Sequence, residues 1–289
     1  MSGMRGRVAD AFRKTAAAIV ALVALAFLSA CVHDPGQART GERGCCANAE
    51  RQPRWLIAAA EPFAPIVGEI VGPITWRQGY LAEEAAQARI VAGLKPLDVV
   101  VVSSKGRLTG RLIPGLFQHA TVYVGSEREL RALGMWSHPT VLPHREAIRR
   151  GARFIEADRK GVHLSPPSMV LNTDRAVTIR PRIATPGWQQ RSMAALFGEL
   201  GTGFDFNFDS GSSDRLFCAE LVCHAIPGLR LPRDKVYGRD TIIPDRVVHE
   251  AARGNPRLHL IAYVAGDRTG IRRAGRAELL DDLSKAWPD

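Results

Sequence analysis

Several families of chemistry are missing from this chain at the level of motif. It has no GxSxG turn for a serine nucleophile, although residues 210–213 read SGSS. It has no P-loop and no GxGxxG after a strand-like run, and its cysteines and histidines do not fall at zinc-ligand spacing. Nucleotide and metal chemistry therefore drop out early. Cysteine is scarce, five in 289 residues, and the spacing is not that of a disulfide framework. Acidic side chains are outnumbered, 29 against 39 basic, for a formal net charge of +10.

What is present begins with the N-terminus. Arg5, Arg7, Arg13 and Lys14 precede the apolar run AAAIVALVALAFL at 16–28. That run is short for a membrane span and has the length of a signal-peptide core. It ends in LSAC at 28–31, which resembles the bacterial lipobox, in which the cysteine is lipidated on its thiol and becomes the mature N-terminus. The expectation is a lipoprotein signal peptide over 1–30 and a lipid on Cys31. Val32 rather than Asp follows, which by the same resemblance points to the outer membrane of a Gram-negative envelope. Residues 32–54 carry Gly, Pro and Arg with almost no large apolar side chain, a composition that reads as a tether, here taken as 31–58. Vicinal Cys45 and Cys46 lie inside it, in a context too polar for a core.

Removing residues 1–30 takes away four positive charges and Asp10, which leaves +7. The remaining basic residues are scattered, mostly arginine, and form no dense run. An exported protein does not meet nucleic acid, so no such partner is expected; anionic lipid head groups or acidic wall polymers are the candidates. Residues 59–289 are long enough for one large domain with a real core, expected to be monomeric.

Along that domain, 75–92 has helical composition. A β-branched strand follows within 94–104, then strands at 119–125, 152–157, 176–181 and 257–264, with helices over 144–151, 188–200 and from Cys218 onward. Helices and mostly local strands are mixed, which favours α+β over a doubly wound sheet.

Two cysteines sit in the run DRLFCAELVCHA at 214–225. Buried free cysteine is commonly a small hydrophobe, but Cys218 stands where a helix begins, and a helix N-terminus favours the thiolate. A thiol nucleophile needs a histidine. His119 opens an apolar strand in GLFQHATVYVG, whereas His224 is six positions along the cysteine's own helix and projects elsewhere. A carboxylate would orient the imidazole. Glu156, inside the apolar strand RFIEA, is costly to bury without a partner; His163 and Asp158 are weaker substitutes.

The stretches LKPLDVVVV, GLFQHATVYVG, AIRRGARFIEADRKGV, VTIRP, LGTGFDFNFD and FCAELVCHA occur in this order. Together they resemble the YiiX-like, circularly permuted branch of the NlpC-type papain-like hydrolases, from about residue 90 to 250. The resemblance implies an α+β papain-like domain with a central antiparallel sheet, permuted so that the histidine precedes the cysteine. It implies Cys218 as nucleophile at a helix N-terminus, His119 as base and Glu156 as orienting group, with no cofactor or metal. The expected function is hydrolysis of an amide or ester in an envelope substrate, a cell-wall peptide or a lipid. Lipid acyl transfer on the same triad, and a non-catalytic module that binds lipid or peptidoglycan, remain open alternatives. Three positions depart from the family pattern: Leu97 where Gly is preferred before Asp98, Ala219 where Ser follows the cysteine, and Phe204 in place of Tyr.

Overall fold

A computed structural model describes residues 45–46, 75–104, 106, 115–182, 185–208, 214–226, 228–236 and 239–287. The expected signal peptide, Cys31 and nearly all of the expected tether lie outside these residues. Among the described residues no helix is long and apolar enough to cross a membrane.

The first half of the domain supplies α1 (Glu84–Ala92), β1 (Val99–Ser103), β2 (His119–Tyr123), α2 (Glu127–Ala132) and α3 (Arg145–Arg149). The hairpin β3 (Phe154–Asp158) and β4 (Gly161–Ser165) follows, then α4 (Pro167–Val170) and β5 (Arg175–Pro181). The second half holds α5 (Pro186–Gly198), the short strands β6 (Gly203–Phe204) and β7 (Arg215–Leu216), and α6 (Cys218–Ala225). It closes with β8 (Asp234–Val236), β9 (Arg239–Thr241), α7 (Pro244–Arg253), β10 (Leu258–Asp267), β11 (Gly270–Ala274) and α8 (Arg276–Ala286).

Seven strands form one antiparallel sheet in the order β11-β10-β5-β1-β2-β3-β4. Strand β1 lies at its centre, which is why its sequence is a run of valines rather than an alternation. Val99 and Val101 enter the larger core, with α5, α6, α7 and α8, while Val100 and Val102 enter the smaller one with Leu81, Val170 and Leu171. Burial of each such side chain stabilises the fold by roughly 1.5–3 kcal/mol. The β4 edge is covered by the chain entering β6, through Val162 N–H to Thr202 O at 2.8 Å and Gly201 N–H to Val162 O at 2.9 Å. Gly161 makes that approach possible: its φ is +86°, and a Cβ would lie 2.5 Å from Thr202 O. The opposite edge, β11, is exposed and carries Arg272 and Arg273, charges that discourage pairing with another strand.

Three expectations need correction. Helix forms only over Glu84–Ala92, not from residue 75. The preceding segment is held by tertiary bonds instead: Gly79 N–H to Asn172 Oδ1, Leu81 N–H to Thr173 O, and Arg77 bidentate on Asp174. Strands β4, β6, β7, β8, β9 and β11 and helices α2, α4, α7 and α8 have no counterpart among the expected elements. Finally, Cys45 and Cys46 are buried, not exposed in a tether. They are disulfide-bonded to each other and pack with Val236, Ile243 and Trp287. Two sulfurs and a distant indole decide this burial, which the polar average of the surrounding sequence conceals.

Candidate active site

His119 opens β2, and the residues before it are locked in place. Asp245, fully buried in the first turn of α7, accepts the N–H of Leu116 at 2.7 Å, the N–H of Phe117 at 2.6 Å and the indole N–H of Trp287 at 2.6 Å. Gly115 is required there, since its φ is +96° and a Cβ would meet Asp245 Oδ2 at 2.2 Å. The Gln118 carboxamide accepts Ser104 N–H and donates to Leu116 O, fixing the strand entrance on its other flank.

Glu156 lies on β3 opposite Thr121 of β2, two residues from His119. Its Oε2 is 2.7 Å from His119 Nε2. A carboxylate only accepts, so Nε2 carries the hydrogen and the other ring nitrogen, Nδ1, is left for the thiol. The Cys218 thiol lies close enough to His119 to favour charge on its ring. Cys218 is the first residue of α6, after Phe217 in extended conformation with no side-chain cap. The first backbone bond of the helix closes from Leu221 N–H to Phe217 O at 3.0 Å, so the amides of the first turn have no intrahelical acceptor. The three residues singled out in the sequence thus come together at one helix end.

Their charges reinforce one another. Burial opposes charge on His119, but the bonds to Cys218 and Glu156 outweigh it and raise its pKa to about 10. Burial likewise pushes Glu156 up, and the bond to His119 more than reverses this, holding the carboxyl at about 2. Cys223, five positions along α6, is different: burial pushes its thiol up to about 11. It behaves as a packing residue.

Four other histidines lie elsewhere. His138 bonds Thr140, His224 faces Glu199, His144 stacks near Phe197 and His259 meets Arg182. His163 is the exception. It sits opposite Glu156 on β4, with Nε2 3.6 Å from Glu156 Oε1. Asp158 Oδ1 is 3.6 Å from His163 Nδ1. Glu156, Asp158 and His163 can each bring a donor atom within 4.8 Å of the others.

Sequence reading passed over Glu220 and Asp245. Glu220 follows the nucleophile position by two, its Oε2 is buried without a hydrogen-bond partner, and burial with nearby Asp205 pushes its pKa to about 7. The FCAEL string contained the signal, a carboxylate in an apolar helix start. Nothing near Asp245 in sequence marks it, because Leu116 and Phe117 lie more than a hundred residues earlier and Trp287 lies 42 residues later. The departures also find places. Leu97 has a φ of +75°, the left-handed conformation that glycine adopts freely, and it keeps its side chain in the larger core. Asp98 beside it is gripped by Arg180 at 2.7 and 2.6 Å. Phe204 joins Phe206 and Phe208 in edge-on contacts, and Phe208 meets Phe217 beside Cys218.

A central antiparallel sheet, a histidine on a strand ahead of the cysteine in chain order, and that cysteine at a helix start together define a circularly permuted papain-like fold of the α+β class. The family model described as "Permuted papain-like amidase enzyme, YaeF/YiiX, C92 family" matches residues 94–253, more than half of the chain. The chain belongs to this family, whose general activity is that of an amidase. No curated protein and no solved structure matches it.

Proposed function

We propose that the protein is a cysteine-dependent amidase of the bacterial envelope, anchored by lipid on Cys31, with Cys218, His119 and Glu156 as its triad. The observation that carries this reading is the 2.7 Å contact of His119 with the buried carboxylate of Glu156, on a ring whose charge is also favoured by Cys218 at the start of α6. Protonated His119 holds Cys218 as thiolate, and Glu156 fixes the ring and balances its charge. The thiolate attacks the substrate carbonyl carbon, and the oxyanion that forms faces the unpaired amides at the start of α6, including that of Cys218. The C–N bond then breaks as His119 gives its proton to the leaving amine. A thioester remains on Cys218. Water, deprotonated by His119, attacks it and releases the acid and the thiol.

The wall formed by Phe204, Phe206 and Phe208 supports a second reading on the same triad, cleavage of an ester or amide carried by an apolar chain. Residues 31–44 connect the proposed anchor to the domain, and the substrate would be a cell-wall peptide or a lipid met at that surface.

The test is hydrolysis of paired amide and ester substrates, with an activity-based thiol probe and mapping of the labelled residue. Cys218→Ala is expected to abolish turnover and labelling while the domain stays folded. Labelling at Cys223, or turnover that survives Cys218→Ala, would overturn the assignment.

A further inference from the structure

The histidine on the far side of Glu156 has no part in the chemistry above, yet its setting is specific. His163 and Glu156 are direct cross-strand partners on β4 and β3. His163 Nδ1 is 3.0 Å from Gly161 O. A carbonyl only accepts, so Nδ1 carries the hydrogen of the neutral ring. Nε2 is then a bare lone pair, buried without a hydrogen-bond partner and aimed at Glu156 Oε1 from 3.6 Å. A lone pair against a carboxylate is unfavourable, and a proton on Nε2 turns the same geometry into a charge-assisted hydrogen bond.

We infer that His163 is a titrating positioning residue: when it gains a proton it takes hold of Oε1 of Glu156, and the carboxylate's support of His119 weakens. Glu156 then serves two imidazolium rings with one negative charge, and the positive charge on His163 disfavours that on His119. The enzyme would lose activity on the acid side as His163 protonates, although His163 touches neither substrate nor thiol. The charged groups on the strands packed against β4 are Glu156 and Asp158 of β3 and Arg215 of β7, while β6 brings only Gly203 and Phe204. Arg159 and Lys160 stand in the turn before β4. Asp158 favours the protonated ring as Glu156 does, so the cations among these groups set where the switch falls and do not reverse it.

This inference rests on the proposed triad, and two independent readouts keep the two apart. The first is histidine side-chain NMR across a pH titration. The His119 resonances should move in step with protonation of His163, and that coupling should vanish in Glu156→Gln. The second is the pH profile of kcat/KM. His163→Leu and His163→Gln should both lose the acid-side component and exceed the wild type about tenfold at its foot, where Glu156 again supports His119 alone, while matching it at alkaline pH. A merely structural histidine would lower activity equally at every pH. His119 resonances indifferent to His163, or an acid limb unchanged in both variants, would overturn the inference. If instead Cys218→Ala stays active while the NMR coupling persists, the triad reading falls and the His163–Glu156–His119 linkage stands.

Discussion

Two of the settings that buried carboxylates occupy in this protein, beside arginine and beside imidazole, differ by the partner. Asp98 is gripped by Arg180, Asp174 by Arg77 and Asp234 by Arg246, each through two hydrogen bonds. These pairs join β1 to β5, the chain before α1 to the start of β5, and β8 to α7. Glu156, by contrast, stands between two imidazoles, one at 2.7 Å and one at 3.6 Å. Guanidinium keeps its proton throughout the accessible pH range and offers a rigid fork, so it ties elements together without ever changing state. Imidazole exchanges its proton near neutrality. The fold places the first kind of partner where geometry must hold and, on the proposed function, the second where a proton must move.

The largest effect should come from removing the charge at the imidazole site. Glu156→Gln keeps an acceptor for the Nε2 hydrogen of His119 but cannot balance an imidazolium. A loss of about 10²–10⁴-fold in kcat is expected, with little change in the unfolding midpoint. Unchanged kcat would place Glu156 with the structural carboxylates.

The pH dependence of stability separates the two settings next. His119 has its folded value raised to about 10 from 6.5, so its stabilisation is complete below 6.5 and is lost as pH rises through 10. Glu156 has its folded value lowered to about 2 from 4.5, so its stabilisation is complete above 4.5 and is lost as pH falls through 2. Both are fully present only between 4.5 and 6.5. Denaturant unfolding across pH should therefore show the gap between wild type and His119→Ala/Glu156→Gln widest in that window and narrowing on each side. A gap that widens above pH 8 would contradict the ion-pair assignment.

A smaller effect is expected at the arginine site. Asp98→Asn leaves Arg180 facing a neutral amide, at a cost of about 2 kcal/mol in stability, less than for a fully buried pair because Arg180 is partly exposed. The shape of the kcat/KM pH profile should not move. If it does, the structural pairs are coupled to the catalytic one and the distinction between them fails.

Much of the site could be read in sequence because its signals are local. His119 opens a short apolar strand, Glu156 is a lone charge in another, and Cys218 heads an apolar helix, so each stood out within a few residues. Strand β4 did not, since GVHLS is five residues long, begins with glycine and lacks the β-branched density that marked β1. His163 therefore remained a substitute for Glu156 when it is its neighbour. The supports of the site were hidden for a different reason. Asp245 acts on residues 116–117 and Trp287 acts on Asp245, contacts across long sequence separations that no window of the chain displays. The segment 76–83 shows the converse, where good helical composition yields to bonds from residues 172–174.

If the proposed lipid sits on Cys31, the buried Cys45–Cys46 pair limits how far the domain can travel from a membrane. With lipid on Cys31, a tether running to residue 58 would allow 27 residues of free chain, about 95 Å at full extension. Docking of the two cysteines against Val236, Ile243 and Trp287 would shorten that span to 14 residues, about 50 Å. Fluorescence energy transfer from a labelled bilayer to the domain should report a longer mean distance in Cys45→Ser/Cys46→Ser if docking sets the leash, and no change if it does not. Halving a flexible leash raises the local concentration of its ends about threefold, since that concentration falls roughly as the −3/2 power of length. A substrate held in the same leaflet would meet Cys218 that much more often, with no change at the site itself.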